Sequence, residues 1–464
     1  MKSATNRAII ELCDNEFFAD ANPHELVIEN NPFRRPTRVK DSRYIDFDVP
    51  LLIGDLESNE NLSTQRILLN IYEMGMVFLP GASTDKKAFD AFYSEHLEGL
   101  ASTCLPILEK KAFSFLRSEI KVSDNWDCDV IADYFRDHLA REAQKIRSKP
   151  VQSELHSLIL DSKRREDFCT HYVIQMASDF LTEASAMSNV VCGSYSPVQS
   201  ELFKILIDEY GAGIHENKHS VLFEDLLRSL DLRTNTHAYW QFYHPTSLML
   251  ATYFHHITRH KRNFFKYIGA LFYTESSLAN TSRLQLDLVQ EVYGGRVNGK
   301  YFSEHAHIDQ HHGKKVLQDI IMPLMKAYGK PAARDILIGF EEFKLLQDVA
   351  DRELINHFTW LDAVDFNNER TRELEKMIDF LGADRNMETY IESAGERTTT
   401  HIHPDNRLLM MESGHMDFWP IFGSPMRISP GDRLVVPRGR MHGAIVTDCM
   451  YHQPLIDGLE FEPS

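Results

Sequence analysis

His305, Asp309 and His312 stand four and seven residues apart in one segment of this chain. On an α-helix those steps turn by about 40° and −20°, so the three side chains share a stripe and can converge on one ion. Glu304, His307 and His311 fall in other sectors and read as supporting or surface groups. Three carboxylates sit where apolar side chains would be expected: Glu183 after Phe180 and Leu181, Glu209 after Leu206 and Ile207, and Glu275 after Phe272 and Tyr273. A buried carboxylate without a cation costs about several kcal/mol and would rather take up a proton. Metal resolves the conflict. Glu183, Glu209, Glu275 and Asp309 carry four negative charges and two Fe2+ ions carry four positive ones, with His219, His305 and His312 as neutral ligands. The sum is zero, which is how a helical bundle holds a diiron centre in a low-dielectric interior. His219 is the open member of this set, because it lies ten residues beyond Glu209 and His215 competes for the role across a segment that Gly211 and Gly213 can bend. His255, His256 and His260 are another candidate cluster, but Phe254, Ile257 and Phe264 around them look like core.

A second constellation lies near the C-terminus. His401 and His403 alternate, so on a strand both point to one face, and His442 can add a third imidazole. Three neutral nitrogens leave open positions on a metal for O2 or a substrate, and imidazole suits iron, copper, nickel or zinc. The frame around them resembles the two cupin motifs. Gly395 is followed by five residues and then His401-Ile402-His403, with Gly414 beyond; Gly431 is followed by five residues, Pro437-Arg438-Gly439, two more, and His442. The carboxylate ligand that cupins usually add falls here on Arg407, and the Asn after the last His falls on Val446, which favours a site of three histidines.

These residues need elements to position them. Apolar residues recur at helical spacing from about Arg66 to Ile355, in stretches such as Phe89 to Leu116, Val173 to Met187, Leu248 to Phe265 and Phe340 to Leu354. Pro150, Pro197, Pro245 and Pro331 sit at the joints between helices. After Asn386 short apolar runs alternate with glycine turns, the pattern of a small β barrel. The fold class expected is therefore multidomain and mainly α with a C-terminal β barrel. At 464 residues the chain is too long for one core, and 43% hydrophobic residues are enough to build several. A net charge of −18 disfavours nucleic acid and anionic membranes, and no run approaches the ~20 apolar residues of a membrane span. Six scattered cysteines without a CxxC pair indicate neither a zinc knuckle nor a disulfide framework and fit a reducing cytoplasm. No phosphate-binding loop occurs, and Gly294-Gly295-Arg296-Val297-Asn298-Gly299 has the wrong spacing for a dinucleotide turn.

The whole resembles the haem-oxygenase-like diiron oxidases, in the subgroup that joins an N-terminal helical module, a diiron helical bundle and a C-terminal cupin. The strings that carry the resemblance are Asp208-Glu209-Tyr210-Gly211, Lys218-His219-Ser220, Tyr273-Thr274-Glu275-Ser276-Ser277 and Glu304-His305 through His312-Gly313. It implies a helical dimerisation module over 1–130, the diiron domain over 131–355, and a connecting helix and cupin over 356–464. It also implies seven diiron ligands, Glu183, Glu209, His219, Glu275, His305, Asp309 and His312, favouring His219 over His215, and a cupin iron on His401, His403 and His442. The implied activity is N-hydroxylation of an Nω-methyl-L-arginine-like guanidine at the diiron site and oxidative rearrangement to an N-nitrosourea at the cupin iron. It would use O2 and an external reductant, in a homodimer. Two alternatives are an N-oxygenase acting on another amine or guanidine, and a protein that only binds metal or a small molecule.

Overall fold

The computed structural model describes residues 4–19, 32–79, 86–123, 125–148, 151–364, 368, 371, 387–423 and 425–454. Pro150 and most of the connecting segment expected before the β strands, 365–386 except Asn368 and Thr371, lie outside them. The protein is mostly helical and ends in an antiparallel sheet of six strands, consistent with a cupin-like β domain. No helix among the described residues is long and apolar enough to cross a membrane.

The helices start where the sequence supplies caps. Ser58, Ser94 and Asp127 accept hydrogen bonds from the first-turn N–H groups of helices Asn59–Glu73, Glu95–Phe113 and Cys128–Arg147. Pro197 and Pro245 open helices Pro197–Glu209 and Pro245–Arg259, whose first N–H groups have no intrahelical partner to lose. Besides Phe89 to Leu116, which breaks where Ser94 caps helix Glu95–Phe113 and again before Leu116, two expected helices are shorter than their apolar pattern. Val173 to Met187 divides because helix Arg165–Phe180 stops before Ala184, which adopts φ 61°. Leu248 to Phe265 divides at His260 (φ −94°, ψ 105°), and a new helix, Phe264–Tyr293, begins after one 3-10 turn. Apolar periodicity persisted across both breaks because both sides bury the same face, so the period alone did not show where the backbone turns.

Helix Phe264–Tyr293 is the spine. It crosses helix Met322–Asp362 where a Cβ on Gly269 would sit 1.8 Å from the Ile336 carbonyl oxygen and one on Gly339 1.9 Å from that of Lys266. Its other neighbour, helix Lys300–Lys315, approaches at Gly313, where an added Cβ would lie 2.8 Å from Ser276 Cα. That contact places His312 beside Glu275. Gly313→Val should therefore destabilise the protein by about 1–3 kcal/mol, the range for overpacking against atoms that cannot rotate away. A lower Tm is the expected result; a Tm equal to wild type would contradict it. Helix Lys300–Lys315 runs on through a π-helical stretch, Val316–Ile321, into Met322–Asp362.

In the β domain, β6 (Met441–Pro454) pairs along one edge with β1 (Met387–Glu392) and β2 (Arg397–Ile402), and along the other with β3 (Arg407–Trp419). β3 in turn carries β4 (Met426–Ile428) and β5 (Arg433–Val436). Buried polar contacts tie this sheet to the helices. The Trp360 indole donates to the Val435 carbonyl at 3.0 Å, and Arg66, 2% exposed, donates to Thr400 Oγ1 at 2.8 Å, one residue before His401.

Candidate metal centres

Each acidic side chain of the helical site is delivered by a different element. Glu183 lies on the turn made by Ala184, and the Tyr301 hydroxyl donates to its Oε1 at 2.8 Å. Glu209 ends helix Pro197–Glu209 and His219 begins helix His219–Ser229. Between them Gly211, Ala212 and Gly213 take φ values of 62°, 53° and 83°, doubling the chain back. The fold is tight: a Cβ on Gly211 would lie 2.5 Å from the backbone of Asn217 and Lys218. His219 Nδ1 thereby comes to 2.6 Å from Glu209 Oε2, while His215 is exposed. Glu275 faces inward from the spine. His305, Asp309 and His312 are 1%, 3% and 2% exposed, whereas His307 and His311 face solvent and Glu304 is half-buried.

The donors form two groups with a shared member. Glu183, Glu209, His219 and His305 bring one ligand atom each within 4.8 Å of one another, and so do Glu209, Glu275 and His312. Asp309 lies outside both groups by that distance but faces the second, with Oδ1 3.4 Å from His312 Nδ1. His312 Nδ1 is 3.0 Å from Glu275 Oε2. The His305 Nδ1–H donates to the Tyr301 carbonyl at 2.9 Å, which can only accept, so its Nε2 is the atom turned to Glu183 Oε1 at 3.3 Å; against its burial, that carboxylate raises the imidazole well above the ordinary histidine range. Six buried atoms have no hydrogen-bond partner: Glu183 Oε2, Glu209 Oε2, His219 Nδ1, His305 Nε2 and both oxygens of Asp309. Buried polar atoms are nearly always satisfied, so this concentration at one point marks donors aimed at a cation.

The charges tell the same story. Burial, reinforced by Glu275, pushes the Asp309 carboxyl up to about 7. Burial opposes charge on His312, but the Asp309 and Glu275 carboxylates facing it raise it to about 11. Without a metal the cluster is neutral only by holding protons. A dication supplies the same compensation from a single point.

In the β domain the strand register does the positioning. His401 lies directly opposite His442 across β2 and β6, and His403, two residues on, shares the face of His401. The Nε2 atoms of His401 and His403 are 3.2 Å apart, and the three rings lie 4.5–5.0 Å from one another. The Nδ1–H groups of His401 and His442 donate to the carbonyls of Thr399 and Arg440, both at 3.0 Å, leaving their Nε2 lone pairs for a ligand role. Burial lowers all three histidines, His403 to about 2 and His442 to about 4, so all are neutral at pH 7. Arg407 donates to Gln453 and supplies no carboxylate.

The sequence expectation did not include Tyr301, Asp179 or Asp208. Burial and the neighbouring Glu183 push Asp179 up to about 7, and Asp208 Oδ2 lies 3.2 Å from His312 Nε2. Tyr301 is four residues before His305, and Asp179 four before Glu183; that spacing was the available signal. The core reading of the His255, His256 and His260 cluster divides in the structure. His255 stacks on Tyr72 in the core, but His256 and His260 turn to Glu109.

Residues 170–348 match the family model of an iron-containing redox enzyme. The chain is 36% identical over 455 residues to the nitrosourea synthase of Streptomyces achromogenes subsp. streptozoticus, covering 96% of this chain and 93% of that protein. This chain belongs to the nitrosourea synthase family. A solved structure, a CADD-like protein of unknown function from Nostoc punctiforme, is 17% identical, covering 48% of this chain and 98% of its own, with TM-score 0.36. Family membership makes the protein an oxidoreductase with an iron-containing domain. The donor set of the helical site fits iron: carboxylates and imidazoles, buried and convergent, six of whose atoms make no hydrogen bond.

Proposed function

We propose that this protein N-hydroxylates the guanidine of an Nω-methyl-L-arginine-like substrate at the helical site and oxidatively rearranges the product to an N-nitrosourea at the three-histidine site. Glu183, Glu209, His219 and His305 would hold one Fe2+, and Glu209, Glu275, Asp309 and His312 a second, Glu209 being common to both donor groups. His401, His403 and His442 would hold a third. Iron so bound supplies O2 activation. Each hydroxylation replaces N–H by N–OH and releases the other oxygen as water, taking two electrons and two protons from an external reductant. The rearrangement draws on further O2.

The observation that carries the reading is a cavity of about 350 Å3 opening onto Glu183, Glu209, Glu275 and His305. Asp179, Gln347 and Asp351 line its wall, with Phe254, Tyr273 and Phe343 among the apolar surfaces beside them. Asp351 accepts from Gln347 Nε2 at 3.0 Å, and burial together with nearby Asp348 pushes it up to about 6. Carboxylates crowded and desolvated in this way are restored to full ionisation by a cation, and the planar guanidinium is the side chain best shaped for them. The apolar faces would hold the alkyl part of the substrate and exclude water.

Mass spectrometry of products from iron-reconstituted full-length protein with Nω-methyl-L-arginine, O2 and a reductant tests the proposal. One- and two-oxygen adducts followed by an N-nitrosourea are expected. No oxygen adduct from iron-loaded protein would overturn it. In the same assay Asp351→Asn should raise KM by about 10–100-fold with kcat retained, the loss of one charge-assisted contact. An unchanged KM would remove Asp351 from substrate binding.

A further inference from the structure

A third convergence of donors lies away from both sites, and nothing in the proposed reaction uses it. His256 lies in the last turn of helix Pro245–Arg259 and His260 follows as the residue that ends it, so the helix terminus presents two imidazoles together. Glu109 reaches them from helix Glu95–Phe113, in the N-terminal part of the chain. Both oxygens of Glu109 are 2.8 Å from His260 Nε2, and its Oε1 is 3.2 Å from His256 Nδ1. Two donors each about 2.1 Å from one ion, at right or tetrahedral angles, stand roughly 3.0–3.4 Å apart. The Glu109–His256 separation lies in that range, as do the 3.0–3.4 Å separations of Glu183–His305, Glu275–His312, Asp309–His312 and His401–His403; Glu109–His260 at 2.8 Å and Glu209–His219 at 2.6 Å are shorter.

The surroundings look built. The Tyr72 hydroxyl donates to Glu109 Oε1 at 2.8 Å, the kind of outer contact that orients a ligating carboxylate. Phe113 stacks on the His256 ring at 4.8 Å and fixes its rotamer. His256 Nδ1 is buried and faces the carboxylate without hydrogen-bond alignment. The Glu109 side chain is 7% exposed and that of His260 27%, so one side stays open to a water as a further ligand.

We infer that Glu109, His256 and His260 bind a divalent transition cation of borderline softness, typified by Zn2+, which clamps helix Glu95–Phe113 to helix Pro245–Arg259. Two imidazoles and one carboxylate favour such an ion over Ca2+ or Mg2+. The clamp bears on the active cavity, because Phe254 and His255 on the same helix line it.

The test uses the full chain, stripped of metal by a chelator and titrated with Co2+ and then Zn2+. Wild type should take up one equivalent of Co2+ more than His260→Asn, and Zn2+ should raise the Tm of wild type further than that of the variant. His260 is partly exposed, so this variant folds on the remaining contacts; Glu109→Gln, which keeps the carboxylate's shape, should lose the same equivalent. Equal equivalents in wild type and His260→Asn would reduce the cluster to a histidine–carboxylate ion pair and overturn the inference. The count needs no turnover, so that outcome leaves the oxygenase reading untouched.

Discussion

Glu209→Ala should abolish N-hydroxylation, by more than about 100-fold, and deplete the helical domain of iron while the β domain keeps its own. The size follows from position. Glu209 is the one side chain common to both donor groups of the helical site, so its loss removes a ligand from each ion at once. Removing even an outer partner of a metal ligand typically costs about 10–100-fold in affinity or activity. The protein itself should still fold, because deleting one carboxylate from a crowded buried acidic cluster relieves repulsion as well as removing a ligand. Iron content measured beside product formation decides the matter. Hydroxylation near the wild-type rate in Glu209→Ala would show that this cluster does not host the chemistry.

His403→Ala should leave hydroxylation intact and let the N-hydroxylated guanidine accumulate, with the nitrosourea falling below detection. The two donor sets share no residue and rest on different elements, helices in one case and β2 with β6 in the other. With one of three neutral imidazoles removed, His401 and His442 remain, too few to hold iron where no carboxylate among the described residues joins the group. Chromatographic quantification of intermediate and product in the two variants gives the comparison. If His403→Ala also stopped the first oxygen insertion, the division of labour between two sites would fail.

The local periodicities of this chain were legible before any tertiary structure. Steps of four and seven put His305, Asp309 and His312 on one stripe, and alternation put His401 and His403 on one face, because helix and strand repeats are fixed by backbone geometry that neighbours cannot alter. Misplaced charge was legible too: Glu183, Glu209 and Glu275 stood out against their apolar surroundings. What the chain could not declare alone was convergence between elements. His219 meets Glu209 only because three successive residues, Gly211 to Gly213, take left-handed φ values. Glu183 leaves its helix at Ala184, and Glu209 serves two groups because four helices and a turn happen to meet there. Glu109 finds His256 and His260 from more than a hundred residues away. Such meetings depend on how distant surfaces fit, a many-body property that one-dimensional spacing does not encode.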